Sequence, residues 1–121
     1  MRWLLVAIGG AAGSVARYGV ARFWPAVPGG WPVPTFTVNL LGSFAIGLLY
    51  IYIAARGGSP DNARLFWMTG VLGGFTTYSA FALESALLGF SATGIAYMAA
   101  TFAGCLIAAF LGMKIGAVLV A

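Results

Sequence analysis

The chain has no histidine, two acidic residues (Asp61 and Glu84) and one cysteine (Cys105) among its 121 residues. A zinc site, a histidine-based triad or a pair of catalytic carboxylates needs more of these groups than the sequence holds. The composition therefore does not read as an enzyme. A lone cysteine forbids an internal disulfide and carries no information on redox compartment. Charge of either sign is scarce, at 7% of residues, where soluble domains carry about 25%. Hydrophobic residues make up 62%, against about 45–50% in soluble domains. That balance excludes an ordinary soluble enzyme and also excludes disorder, which requires low hydrophobicity and high charge. The formal charge is +4. The basic residues form no run or stripe, so no nucleic-acid partner is expected; they read as flanks of membrane segments.

What the chain has in abundance is long apolar sequence. A spanning helix needs about 20 mostly apolar residues, and four windows qualify: about 3–23, 33–55, 64–89 and 93–119. The length allows one domain, 1–121, set in the lipid bilayer. The connections are turn-rich: Trp24 to Pro32, then Arg56-Gly57-Gly58-Ser59-Pro60-Asp61-Asn62, then Phe90-Ser91-Ala92. Trp24, Trp31 and Trp67 fall near window ends, as interfacial aromatics do. Period-2 alternation is absent, which argues against a β-barrel. The start, Met1-Arg2 and an apolar stretch reaching Ser14-Val15-Ala16, mimics a secretory leader. Glycines interrupt that stretch and it runs on into Arg17-Tyr18, so it is taken as the first span.

Four spans put Arg2, Arg56, Arg64 and Lys114 on one side, and Arg22, with Arg17 if it lies at the boundary, on the other. This bias is weak for the positive-inside rule. It permits insertion both ways, and a single poorly set orientation is equally open. Glycine, with 18 residues, has roughly twice its ordinary share of about 7%. Pairs recur four apart: Gly9/Gly13, Gly70/Gly74, Gly112/Gly116. Such spacing lets helix backbones approach closely in lipid. Four thin helices packed this way leave no central pore, so a solute path runs between subunits or along a polar groove. A homodimer is expected.

Polar residues at membrane depth are costly and are functional candidates by default. Thr35, Asn39, Ser43 and Gly47 repeat every four residues on the second span; Thr93, Tyr97, Thr101 and Cys105 do so on the fourth. Both stripes are neutral hydrogen-bonding faces, and two readings stand: interhelical glue or a solute track. The third span contains Gly70-Val71-Leu72-Gly73-Gly74-Phe75-Thr76-Thr77-Tyr78-Ser79. A glycine pair beside a hydroxyl cluster predicts a helix broken mid-membrane, with half-helices of roughly 64–72 and 77–89. A glycine-mediated close crossing of an unbroken helix is the other possibility. Phe75, Tyr78, Phe81 and Ser85 share one side of this segment. Their ring edges carry partial positive charge.

Three segments resemble the signature segments of the Fluc (CrcB) family of fluoride channels: Gly9-Gly10-Ala11-Ala12-Gly13-Ser14-Val15-Ala16-Arg17-Tyr18, the stretch from Pro32 through Thr35 and Asn39 to Phe44, and the stretch from Gly70 to Phe81. Their order and spacing match, as does the four-span layout. The resemblance implies an all-α membrane protein forming an antiparallel, dual-topology homodimer with two pores for passive export of fluoride ion. It implies that Asn39 donates to fluoride, that Tyr78 and Phe81 meet it with ring edges, and that Tyr97, Thr101 and Cys105 continue the track, beside Ser43 of the second-span stripe. It implies a central structural sodium (Na+) held by the backbone carbonyls of Gly73 and Thr76. Arg17 and Glu84 would be vestibule residues, Glu84 lying near the far end of the third helix. The setting would be the plasma membrane, the inner membrane of a bacterium or archaeon. The chain departs from the family pattern with Pro34 for glycine, Tyr78 for phenylalanine, Ala80 for threonine or serine, and Cys105 for serine. The alternative is a small proton-coupled multidrug exporter, which needs a carboxylate usually found in the first helix. This first span has none.

Overall fold

A computed structural model describes residues 1–57 and 60–121 of the chain; Gly58 and Ser59 of the expected second connection lie outside the described residues. Among the described residues there are helices and no strands. Helix α1 covers Arg2–Phe23 and α2 covers Val33–Arg56. The third segment opens with the short α3 (Pro60–Ala63), runs into a π-helical stretch (Arg64–Leu72), and ends its first part in α4 (Gly73–Phe75). Helix α5 follows at Tyr78–Leu88, and α6 at Ala92–Val120. Among the described residues four helices are long and apolar enough to cross a membrane: Arg2–Phe23, Val33–Arg56, Asp61–Leu88 and Ala92–Val120.

Local chemistry sets the boundaries. Pro34, at the second position of α2, occupies the first turn, where a missing N–H costs nothing. Gly89 ends α5 at φ +62°, a conformation glycine adopts without penalty. Ser91 starts α6: its hydroxyl accepts from the Gly94 amide at 3.0 Å and donates to the Leu88 carbonyl at 2.8 Å.

Two pairings build the bundle. Helix α2 packs along α6, and α1 packs along the π-helical stretch and α4. Absent side chains make both possible. A Cβ at Gly13 would collide with the Val71 carbonyl, and one at Gly112 with the Phe44 carbonyl. The π winding has no counterpart in the sequence pattern. Its wider coil needs room, which Gly9 and Gly13 supply by letting the Phe66 and Val71 carbonyls reach the α1 backbone. The apolar interior is slight, with Val38, Ile53, Leu72 and Tyr97 as its buried members. Large apolar side chains such as Trp3, Phe23, Phe90 and Phe102 point outward, as they do where lipid is the solvent.

Candidate functional site

The chain is irregular where α4 gives way to α5. Thr76 (φ −83°, ψ 156°) and Thr77 (φ −149°, ψ 118°) are extended. The expected half-helices, roughly 64–72 and 77–89, leave 73–76 between them; of these Gly73, Gly74 and Phe75 are helical and Thr76 is extended. The physical reason is packing. Gly74 is spent on close approach, since a Cβ there would lie 2.5 Å from the Gly10 carbonyl. The threonines instead bring hydroxyls that replace the helical hydrogen bonds they give up. Thr76 Oγ1 donates to the Leu72 carbonyl at 2.9 Å, and Thr77 Oγ1 accepts from the Ala80 amide at 3.2 Å.

Side chains from two neighbouring helices hold this segment. Asn39 of α2 accepts from the Thr77 amide through Oδ1 at 2.8 Å and donates to the Thr77 carbonyl through Nδ2 at 3.0 Å. Arg17 of α1, expected toward a vestibule, donates from Nε to the Gly74 carbonyl at 3.0 Å. These bonds leave two carbonyls without their helical partners. The amide that would close on Gly73 belongs to Thr77 and goes to Asn39; the one that would close on Thr76 belongs to Ala80 and goes to Thr77 Oγ1. Gly73 and Thr76 border one hollow of about 220 Å³ with Gly42, Ser43, Ile46 and Leu72. Among the described residues no cluster of His, Cys, Asp or Glu could hold a metal. The carbonyl pair does fit a hard monovalent cation, which takes neutral oxygen ligands.

A larger groove of about 740 Å³ runs between α2, α5 and α6, and its lining includes Asn39, Ser43, Tyr78, Phe81, Thr101 and Cys105. Six of the sequence-predicted pathway residues thus meet on one surface, and none of the groove's lining residues is charged. Thr101 is 6% exposed, and its Oγ1 has no hydrogen-bond partner. A buried hydroxyl left unpaired costs free energy, a state Thr101 Oγ1 shares with Ser85 Oγ. Asn39 spends one amide hydrogen on Thr77 and retains the other. Tyr78 and Phe81 meet edge to face, with centroids 5.8 Å apart and planes at 69°. Tyr78 is 80% exposed and forms the outer rim.

Tyr97 does not line this groove. It is fully buried behind Phe81, with ring centroids 5.3 Å apart. Trp31 packs against it edge-on at 5.5 Å, drawn inward from the interfacial role its position suggested. The Tyr97 hydroxyl donates to Glu84 Oε2 at 3.4 Å, and Thr35 Oγ1 donates to Glu84 Oε1 at 2.5 Å. Glu84, expected near the far end of the third span, lies four residues before its end at Leu88, between two hydroxyls and facing a second cavity of about 220 Å³ beneath the Ala26–Pro32 turn. Sequence reasoning placed Thr35 on the polar stripe of the second span, which continues to Asn39 and Ser43, but missed its bond to Glu84.

With this geometry in hand, similarity to known proteins becomes informative. Residues 4–113 match the family described as "CrcB-like protein, Camphor Resistance (CrcB)". The chain is 54% identical over 87 residues to "Fluoride-specific ion channel FluC" of Caulobacter vibrioides (strain NA1000 / CB15N), covering 70% of this chain and 68% of that one. It is 51% identical over 88 residues to the protein of the same name from Hyphomonas neptunium, covering 71% and 69%. Against that of Paracoccus denitrificans (strain Pd 1222) the identity is 43% over 117 residues, covering 94% and 93%. These relatives are named as channels, not as enzymes.

Proposed function

Since this chain belongs to the CrcB-like family and is a multi-pass membrane protein, we propose that it is a fluoride-selective channel in the plasma membrane through which fluoride leaves the cell passively. One observation carries the reading: a groove free of charged side chains is lined by Asn39, with one amide hydrogen to spare, together with Ser43, Thr101 and the rings of Tyr78 and Phe81. Fluoride is small and strongly hydrated. Stripping its water without compensation costs tens of kcal/mol by Born solvation. Neutral donors in sequence replace that water. They release the ion again because they lack the grip of a fixed charge. The ring edges of Phe81 and Tyr78 add positive partial charge.

The groove opens on the chain's surface, where Tyr78 and Phe102 are 80% and 76% exposed. A second copy in antiparallel orientation closes it, giving a dual-topology homodimer with two pores. The irregular backbone at Thr76–Thr77 then acts as a break in the third membrane helix. The open carbonyls of Gly73 and Thr76, with the same pair from the second copy, hold a sodium ion at the dimer centre. Bound there, sodium supplies positive potential and cross-links the subunits; the chain's own groups do the rest. Proton-coupled export is disfavoured, because α1 carries no carboxylate and Glu84 is engaged by Thr35 and Tyr97. The test is fluoride against chloride efflux from liposomes containing the purified protein. Rapid loss of fluoride with chloride retained is expected, and equal loss of both would overturn the selectivity claim.

A further inference from the structure

A helix that stops leaves its last carbonyls without amide partners, and here those carbonyls are treated unequally. Leu72 accepts from both the amide and the hydroxyl of Thr76, each at 2.9 Å. Gly74 accepts from Arg17, and Thr77 from Asn39. Gly73 and Thr76 lack their helical amide partners, which are diverted to Asn39 and Thr77 Oγ1, and Phe75 likewise has no bond from the Ser79 amide. The two glycines also differ in their surroundings. Gly74 faces α1, against Gly10 and Ser14. Gly73 faces open space: a Cβ there would meet nothing nearer than the Met68 carbonyl at 3.8 Å.

We propose that Arg17 is a positioning residue for cation retention: by gripping the Gly74 carbonyl it fixes the rotation of the last helical turn, so that Gly73 and Thr76 present their carbonyls to a hard cation. Arg17 is placed for this by the same α1 face that carries Gly9 and Gly13, eight and four residues earlier. Those glycines dock α1 on the third segment, and Arg17 ends that contact face at the point where α4 terminates. A guanidinium at membrane depth is expensive. Its partner here is a helix-terminal carbonyl, where the macrodipole is negative and a cation is favoured. A merely structural arginine would secure α1 without affecting cation binding. A positioning arginine alters the cation affinity itself. The inference rests on the sodium reading above.

The experiment follows thermal unfolding of the purified, detergent-solubilised protein over a series of NaCl concentrations, with choline chloride holding ionic strength constant. Wild type should be stabilised by sodium. Arg17→Gln should need about tenfold more sodium for the same stabilisation, the scale of one charge-assisted hydrogen bond. Arg17→Lys, which keeps the charge and a single donor, should fall between. A sodium midpoint in Arg17→Gln equal to wild type, whatever its overall loss of stability, overturns the role of Arg17 alone. If wild type melts identically in both salts, the sodium reading fails and the proposal with it. Should Arg17→Gln not fold, Arg17→Lys decides: its midpoint rises several-fold or the proposal is wrong.

Discussion

Asn39 grips Thr77 by both of its backbone polar atoms, accepting from the amide at 2.8 Å and donating to the carbonyl at 3.0 Å. A primary amide is the side chain able to make this two-way bond and still offer a second hydrogen to an anion. Asn39→Ala should therefore lose on two counts. Two backbone groups lose their partners at about 1–3 kcal/mol each, and the groove loses a donor. Asn39→Asp should fare no better, since a carboxylate cannot donate to the Thr77 carbonyl. Melting temperature in detergent and fluoride efflux from liposomes check this, and efflux at the wild-type rate in either variant would count against it.

Thr101 offers a sharper separation of stability from transport. Its hydroxyl is buried and unbonded, so Thr101→Val should leave fluoride-free stability unchanged or slightly raised. Fluoride efflux should fall roughly tenfold or more, the worth of a hydrogen bond of about 1.5–3 kcal/mol to an ion. Thr101→Ser should retain flux. Equal efflux from the valine and serine variants would show that the hydroxyl does not serve the ion.

Thr35 and Glu84 form a long-range pair, 49 positions apart in sequence and 2.5 Å apart in space. Thr35→Val removes the donor to Oε1 and leaves a half-buried carboxylate with the more distant Tyr97 hydroxyl. A stability loss of about 1–3 kcal/mol is expected, with Thr35→Ser close to wild type. Denaturation in detergent measures it, and a valine variant as stable as the serine one would show the bond to be incidental.

Close helix contact makes its own prediction. Gly13→Ala places a methyl against the Val71 carbonyl, and overpacking of this kind costs about 1–3 kcal/mol. Gly19, in the same helix, has nothing within 4 Å of such a methyl. Gly19→Ala should be neutral or stabilising by about 0.5–1 kcal/mol through helix propensity. Paired melting curves test the contrast, and similar behaviour of the two variants would contradict the α1 packing.

The spans were legible because apolar length follows directly from the solvent a helix must cross. The four-residue stripes were legible for a similar reason: helical periodicity puts Asn39 and Ser43, or Thr101 and Cys105, on one side wherever the helix goes. Long-range pairing was not legible. Nothing local in Thr35 or Glu84 announces the other, and Tyr97 shares its stripe with Thr101 yet lies behind Phe81 instead of beside the groove. The interruption, expected within 73–76, falls at Thr76 and Thr77. Gly74 was expected to loosen the helix, but its missing side chain serves contact with Gly10, and the extended backbone falls on the two threonines whose hydroxyls can repair it. The π-helical winding left no mark in residue type.

The claim that uncharged donors and ring edges replace the hydration of the ion is tested most directly at Phe81, which brings no hydrogen-bonding group and no charge. Fluoride efflux from liposomes is measured for wild type and Phe81→Ile, each first shown by gel filtration to have the same assembly. A collapse of efflux in the variant, with assembly and melting temperature preserved, is predicted. Efflux at the wild-type rate would contradict the account, because an isoleucine has no positive ring edge to offer.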